Sequence, residues 1–150
     1  MTSALQIAAI ACATLNLVGG AVGAWAWWRG TSGAAGRWFW RLCRAGQTGA
    51  GALAVVASVA IVSGYDAQSS LVYLYLLLPV VISLIAEQLR IASAQTILDQ
   101  RGLENAQAME ALDDVQQRSI VLEIVGREVG VMTLAGLVIS FLALRVLGTV

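Results

Sequence analysis

Apolar residues gather into four long stretches of this chain, and the charged residues fall between them. Leu5 to Trp27 and Ala45 to Gly64 carry no charge. Twenty uncharged residues separate Asp66 from Glu87, and sixteen, Val129 to Leu144, separate Glu128 from Arg145. A helix crossing the roughly 30 Å hydrocarbon core of a bilayer needs about 20 apolar residues. The pattern therefore predicts four spans, at about 5–27, 45–64, 69–86 and 129–147. In lipid these must be helices, because every backbone N–H and C=O has to be satisfied within its own segment. The fourth is short for the core, so Glu128 and Arg145 sit at the interfaces or snorkel to them.

Helical character does not stop where the third and fourth spans end. No glycine interrupts Ser69 to Leu98, and Pro79 lies where it kinks a span rather than ends it. Those thirty residues reach about 45 Å as a helix. A fourth helix can start at Asp113 or Asp114, each with Gln three residues on to complete a cap. Nothing stops it before Leu147, which gives about 50 Å. Between the two, Gly102 breaks the chain and a short helix runs from Leu103 to Leu112. The like-charge pairs Glu110/Asp113 and Glu110/Asp114 oppose running it into the next helix. Residues 87–128 thus read as a helical stalk, two helices with a short third across the tip. Asp114/Arg118 and Glu123/Arg127 are i,i+4 pairs and Glu87/Arg90 is an i,i+3 pair, which places Glu87 at the membrane edge rather than the midplane. The expected fold is all-α: one integral membrane domain over residues 1–150, a four-helix transmembrane bundle with spans three and four extended into the stalk.

Composition agrees. Hydrophobic residues make up 59% of the chain and charged residues 12%, against about 45–50% and about 25% in a soluble domain. All nine basic residues are Arg, and their placement predicts the orientation. Arg29, Arg37, Arg41 and Arg44 lie between spans one and two, and Arg90, Arg101, Arg118 and Arg127 between spans three and four. The segment "SGYDAQSS" holds none, and Arg145 stands by itself near the C-terminal end. The positive-inside rule makes the arginine-rich side cytoplasmic, with both termini outside, in a multi-pass plasma-membrane protein. Trp25, Trp27, Trp28, Trp38 and Trp40 cluster at that side and Tyr65, Tyr73 and Tyr75 at the other, which reads as two interfacial belts rather than a ligand cage.

The absences restrict the chemistry. The chain has no His and no Lys, which excludes His-ligated haem or zinc, a His general base, and a Schiff-base lysine. Cys12 and Cys43 lie in separate segments and supply neither a disulfide nor a metal set. The "AIAC" ending at Cys12 has the look of a lipoprotein cleavage site, yet nothing basic precedes it and the apolar run continues past it, so span one is read as retained. No nucleophile–base set or phosphate loop is present. No catalytic, cofactor-binding or metal-ligating residue is assigned, no nucleic-acid partner is indicated, and the chain is read as not an enzyme.

What remains is architectural. Asn16 and Gln47 are the deepest strongly polar residues and can hydrogen-bond a neighbouring helix. The arginine-rich first loop, net +4, shares a side with residues 87–128, net −4. Arg37, Arg41 and Arg44 can dock on Glu87, Glu123 and Glu128, within a network that includes Arg90 and Arg127. They can equally meet anionic lipid headgroups. Gly19/Gly23 and Gly126/Gly130 are small-xxx-small motifs, as are Gly20/Ala24 and Gly136/Ser140, and are expected to pack helices within the monomer.

The stretches "YLYLLLPVVISLIAEQLRIASAQTILDQRGLENAQAMEAL" and "RSIVLEIVGREVGVMTLAGLVISFLALR", with "RAGQ" at Arg44–Gln47, resemble a group of small four-span actinobacterial membrane proteins. The resemblance runs from about Arg44 to Arg145 and implies the four-span fold and no activity. Three roles fit this sequence in order. First is an accessory subunit or scaffold docking a larger membrane-protein partner through the stalk. Second is a small homo-oligomeric transporter or channel lined by Asn16, Gln47 and Glu87. Third is a membrane-embedded enzyme acting on lipid or quinone.

Overall fold

A computed structural model describes residues 2–30, 34–66, 70–104 and 106–148. They form four α-helices, α1 (Thr2–Arg29), α2 (Ala34–Val62), α3 (Ser70–Gln100) and α4 (Asp114–Leu147), with a 3-10 helix, Ala106–Ala111, before the last. No strand occurs among the described residues. All four helices are long and apolar enough to cross a membrane. Their outward faces carry Ile7, Leu17, Val59, Leu84, Leu134 and Phe141 in the open. An apolar surface this extensive suits acyl chains and not water, so the chain is a multi-pass membrane bundle.

Each helix packs mainly on two others. α1 lies against α2 and α4, α3 lies against α4 and more lightly against α2, and the α2–α4 diagonal barely touches. Lipid supplies no hydrophobic drive for this association, so close packing and interhelical hydrogen bonds hold it. The Asn16 amide nitrogen donates to the Gly46 carbonyl at 3.1 Å, tying α1 to α2. The Ser140 hydroxyl donates to the Ala13 carbonyl at 3.0 Å, tying α4 to α1. Glycine permits the first of these contacts, since a Cβ on Gly46 would come within 2.7 Å of Asn16 Oδ1.

Several expectations are redrawn. Arg37, Arg41 and Arg44 lie on the first turns of α2, not in a loop: α2 begins at Ala34, eleven residues ahead of the predicted span at 45. Once past Gly36 the stretch has no glycine or proline to stop a helix, and buried Gly36 and Phe39 anchor it. The predicted helix over 103–112 is a 3-10 helix of six residues, Ala106–Ala111. Its length is what the break at Gly102 (φ 70°) and the Asp113 cap leave. Asp113, not Asp114, caps α4, its carboxylate accepting from the Gln116 backbone N–H at 2.7 Å. α3 runs unbroken through Pro79 for 31 residues, about 46 Å, and α4 for 34 residues, about 51 Å. Beyond Arg90 and Glu128 these two pack on each other through Ile97, Leu98 and Ile120. Thr31–Gly33 and Ala67–Ser69, parts of the first and second predicted loops, lie outside the described residues.

Candidate functional site: a charged cluster above a central cavity

The strongest concentration of polar side chains lies where α1 ends and α2 begins, hereafter the charged end. Arg44 and Gln47 stand one turn apart on α2, and Glu87 and Arg90 one turn apart on α3. The Glu87 carboxylate accepts at Oε1 from Gln47 Nε2 (2.6 Å) and Arg44 Nη1 (2.9 Å), and at Oε2 from Arg90 Nε (2.9 Å). Arg44 also donates to Gln47 Oε1 at 2.9 Å. Arg90 reaches on to Glu128 of α4 at 3.6 Å and sits 5.6 Å from the centre of the Trp40 ring. One carboxylate therefore gathers α2 and α3, and one arginine adds α4.

The two acids respond oppositely. Burial pushes Glu87 up, but hydrogen bonds from Gln47 and Arg90 and the charges of Arg90 and Arg44 outweigh it, so the group rests below its ordinary value. Burial also pushes Glu128 up. There Arg90 opposes it, Glu87 adds repulsion, and the group rests above its ordinary value. A carboxylate saturated with donors in this way is a poor general base and a good latch.

Beneath the cluster the four helices leave a cavity of about 20 Å³, lined by Asn16, Gln47, Ser83, Cys43, Phe39 and Met132 among others. That is room for one water. Ser83, one turn before Glu87 on α3, joins Gln47 and Asn16 in a lining that is otherwise apolar. Beyond Asn16, Leu5, Leu53, Val72, Leu76 and Ile139 fill the bundle.

The structure sorts the sequence candidates. Arg44, Gln47, Glu87, Arg90 and Glu128 come together, and Asn16 shares the cavity with Gln47 but touches none of the charged groups. Arg41 does not join, its guanidinium lying 5.4 Å from the Trp38 ring centre. Glu123 pairs with Arg101 at 2.7 Å instead of Arg127. Among the described residues Arg127 forms no ion pair, nor do Asp114 and Arg118 pair with each other. The expectation of a network holding Arg41, Glu123 and Arg127 is therefore corrected. Arg41 shares its helix face with Arg44 but lies one turn nearer the start of α2, and Glu123 meets Arg101 across the gap between α4 and α3.

The glycine motifs divide too. A Cβ on Gly23 would collide with the Thr133 hydroxyl and the Phe39 ring, and one on Gly19 would touch Leu42. Gly126 has nothing within 4 Å of such a Cβ and Gly130 only Trp27 at 3.8 Å, an ordinary contact, so that motif brings no two helices into close approach inside the monomer. The sequence reading missed Ser83, Trp40 and Arg101. Ser83 was detectable as the residue one turn before Glu87 on the same helix face. Trp40 and Arg101 carry no local signal for their partners.

Among the described residues no three His, Cys or acidic side chains gather as a metal set. No family model, curated protein or solved structure matches this chain.

Proposed function

We propose that this protein is an accessory membrane subunit or scaffold, docking a partner protein through the extensions of α3 and α4. Arginine placement supports putting those extensions in the cytoplasm. The observation that carries the reading is apolar exposure outside the spans. Val115, at 78% exposed, and Val121 and Leu122 stand open on α4 between its N-cap and Glu128. Lipid covers such residues within the membrane, but on an extension that leaves the membrane they meet water, where open apolar surface marks a docking site. Residues 87–128 carry eight carboxylates and four Arg, so the fitting partner surface is apolar with a basic rim. The test is purification in mild detergent from the native membrane. A stoichiometric partner is expected with the wild type, and its loss with Val115→Ser/Leu122→Ser at unchanged thermal stability. A chain that purifies without a partner, or only with copies of itself, would overturn the reading.

Gln47, Ser83 and Asn16 on the small cavity below Glu87 support transport as the second reading. The apolar packing beyond them requires either a second conformation or an assembly of several copies. A Glu87→Gln protein that keeps its stability but loses a measurable flux in liposomes would promote it over the first.

A further inference from the structure

The first 65 residues contain no Asp or Glu, yet they carry four of the nine arginines. Arg44 is held by Glu87. Arg29, Arg37 and Arg41 are exposed and form no ion pair among the described residues. Two of the three rest on tryptophan: the Arg29 guanidinium lies 4.6 Å from the Trp25 ring centre, and that of Arg41 lies 5.4 Å from Trp38. Trp25, Trp28 and Arg29 share one face of α1 at i, i+3 and i+4, and Arg37 and Arg41 share one face of α2. Trp28, at 86% exposed, and Trp38, at 57%, are open as well. The end of α1 and the start of α2 thus present three uncompensated cations among four open indoles, Trp27 included.

We propose that the end of α1 and the start of α2 form a binding surface for anionic phospholipid headgroups, with Arg29, Arg37 and Arg41 on the phosphates and Trp25, Trp28 and Trp38 at the boundary with the acyl chains. Guanidinium forks match phosphate oxygens in pairs. Indoles favour the headgroup level of a bilayer, and a ring beneath a guanidinium holds that cation at the same depth without neutralising it. The chain's own acids are a weaker candidate, because Glu87, Glu123 and Glu128 of α3 and α4 already have arginine partners. The proposal rests on the four-span architecture and is independent of partner docking.

The test uses the full chain in a neutral detergent, titrated with short-chain phosphatidylglycerol or phosphatidylcholine and followed by tryptophan fluorescence and native mass spectrometry. Phosphatidylglycerol is expected to bind about a hundredfold more tightly, about fivefold for each of the three arginines, with the preference falling as salt is raised. The preference should fall about fivefold for each arginine removed, and so about a hundredfold in Arg29→Gln/Arg37→Gln/Arg41→Gln. Arg37→Gln by itself, at an exposed site, gives a fivefold loss to measure if the triple variant folds poorly. Arg118→Gln, an exposed arginine elsewhere, should change nothing. Equal binding of the two lipids, an undiminished preference in the arginine variants, or full competition by inorganic phosphate would overturn the proposal.

Discussion

At the scale of single residues, Glu87 matters most because it is where three donors converge. Removing its charge strands Arg44 and Arg90, both of which lose a charge-assisted bond. Glu87→Gln is expected to lower stability in detergent by about 1–3 kcal/mol. Arg127→Gln, which breaks no ion pair, should change it by less than about 0.5 kcal/mol. The double variant Arg44→Gln/Glu87→Gln should lose less than the sum of its single losses, since the two residues touch. Thermal unfolding of the four proteins checks all three statements, and an additive double variant would show the pair to be energetically idle. Acid acts in the same place with a definite sign. Glu87 rests below its unfolded value of 4.5, so its stabilisation is complete above that pH and is lost as pH falls through the lowered value. Glu128 rests above 4.5, so it protonates first on acidification, and the Arg90–Glu128 contact weakens while the Glu87 latch still holds.

Two glycine pairs of identical spacing separate sequence motif from packing at the scale of helices. Gly23 lies against Thr133 of α4 and Phe39 of α2, so Gly23→Ala pushes three helices apart at a cost of about 1–3 kcal/mol. Gly126 faces open space, so Gly126→Ala should be neutral within the monomer, or stabilising by up to about 1 kcal/mol through helix propensity. Melting temperatures of the two variants measure the contrast. A strongly destabilised Gly126→Ala would instead mean that α4 packs against something outside the monomer.

For the whole molecule the outstanding question is direction across the membrane. Cysteines placed at Ser70 and Ala111 lie at opposite ends of the bundle, both at exposed positions. In a background lacking Cys12 and Cys43, a membrane-impermeant thiol reagent on intact cells should label the first and spare the second. Labelling at Ala111 from outside would reverse the topology and put the α3–α4 extensions outside the cell.

The number, type and approximate length of the helices are legible in the linear pattern, because apolar length and glycine placement are local properties that lipid reads directly. Glu87 with Arg90, one helical turn apart, is legible for the same reason. Which arginine meets Glu87 from another helix is not. Arg37, Arg41 and Arg44 share one face of α2, and their order of depth against α3 depends on how far each helix slides along the next. Among α1, α2 and α4 that slide is set by Gly23 under Phe39, Gly46 under Asn16 and Ser140 on Ala13, and α3 takes its place through Ala86 against Phe39 and Val129 and through Ile97 and Leu98 against Ile120. The same slide selects Arg101 over Arg127 for Glu123, buries one glycine motif and leaves the other open. It also stacks Gln47 and Ser83 beneath Glu87 around one small cavity. The sequence by itself determined four apolar helices and the charges at their ends; only packing decided which charges meet, because register between helices is a property of side-chain shapes facing each other and of no single stretch of chain.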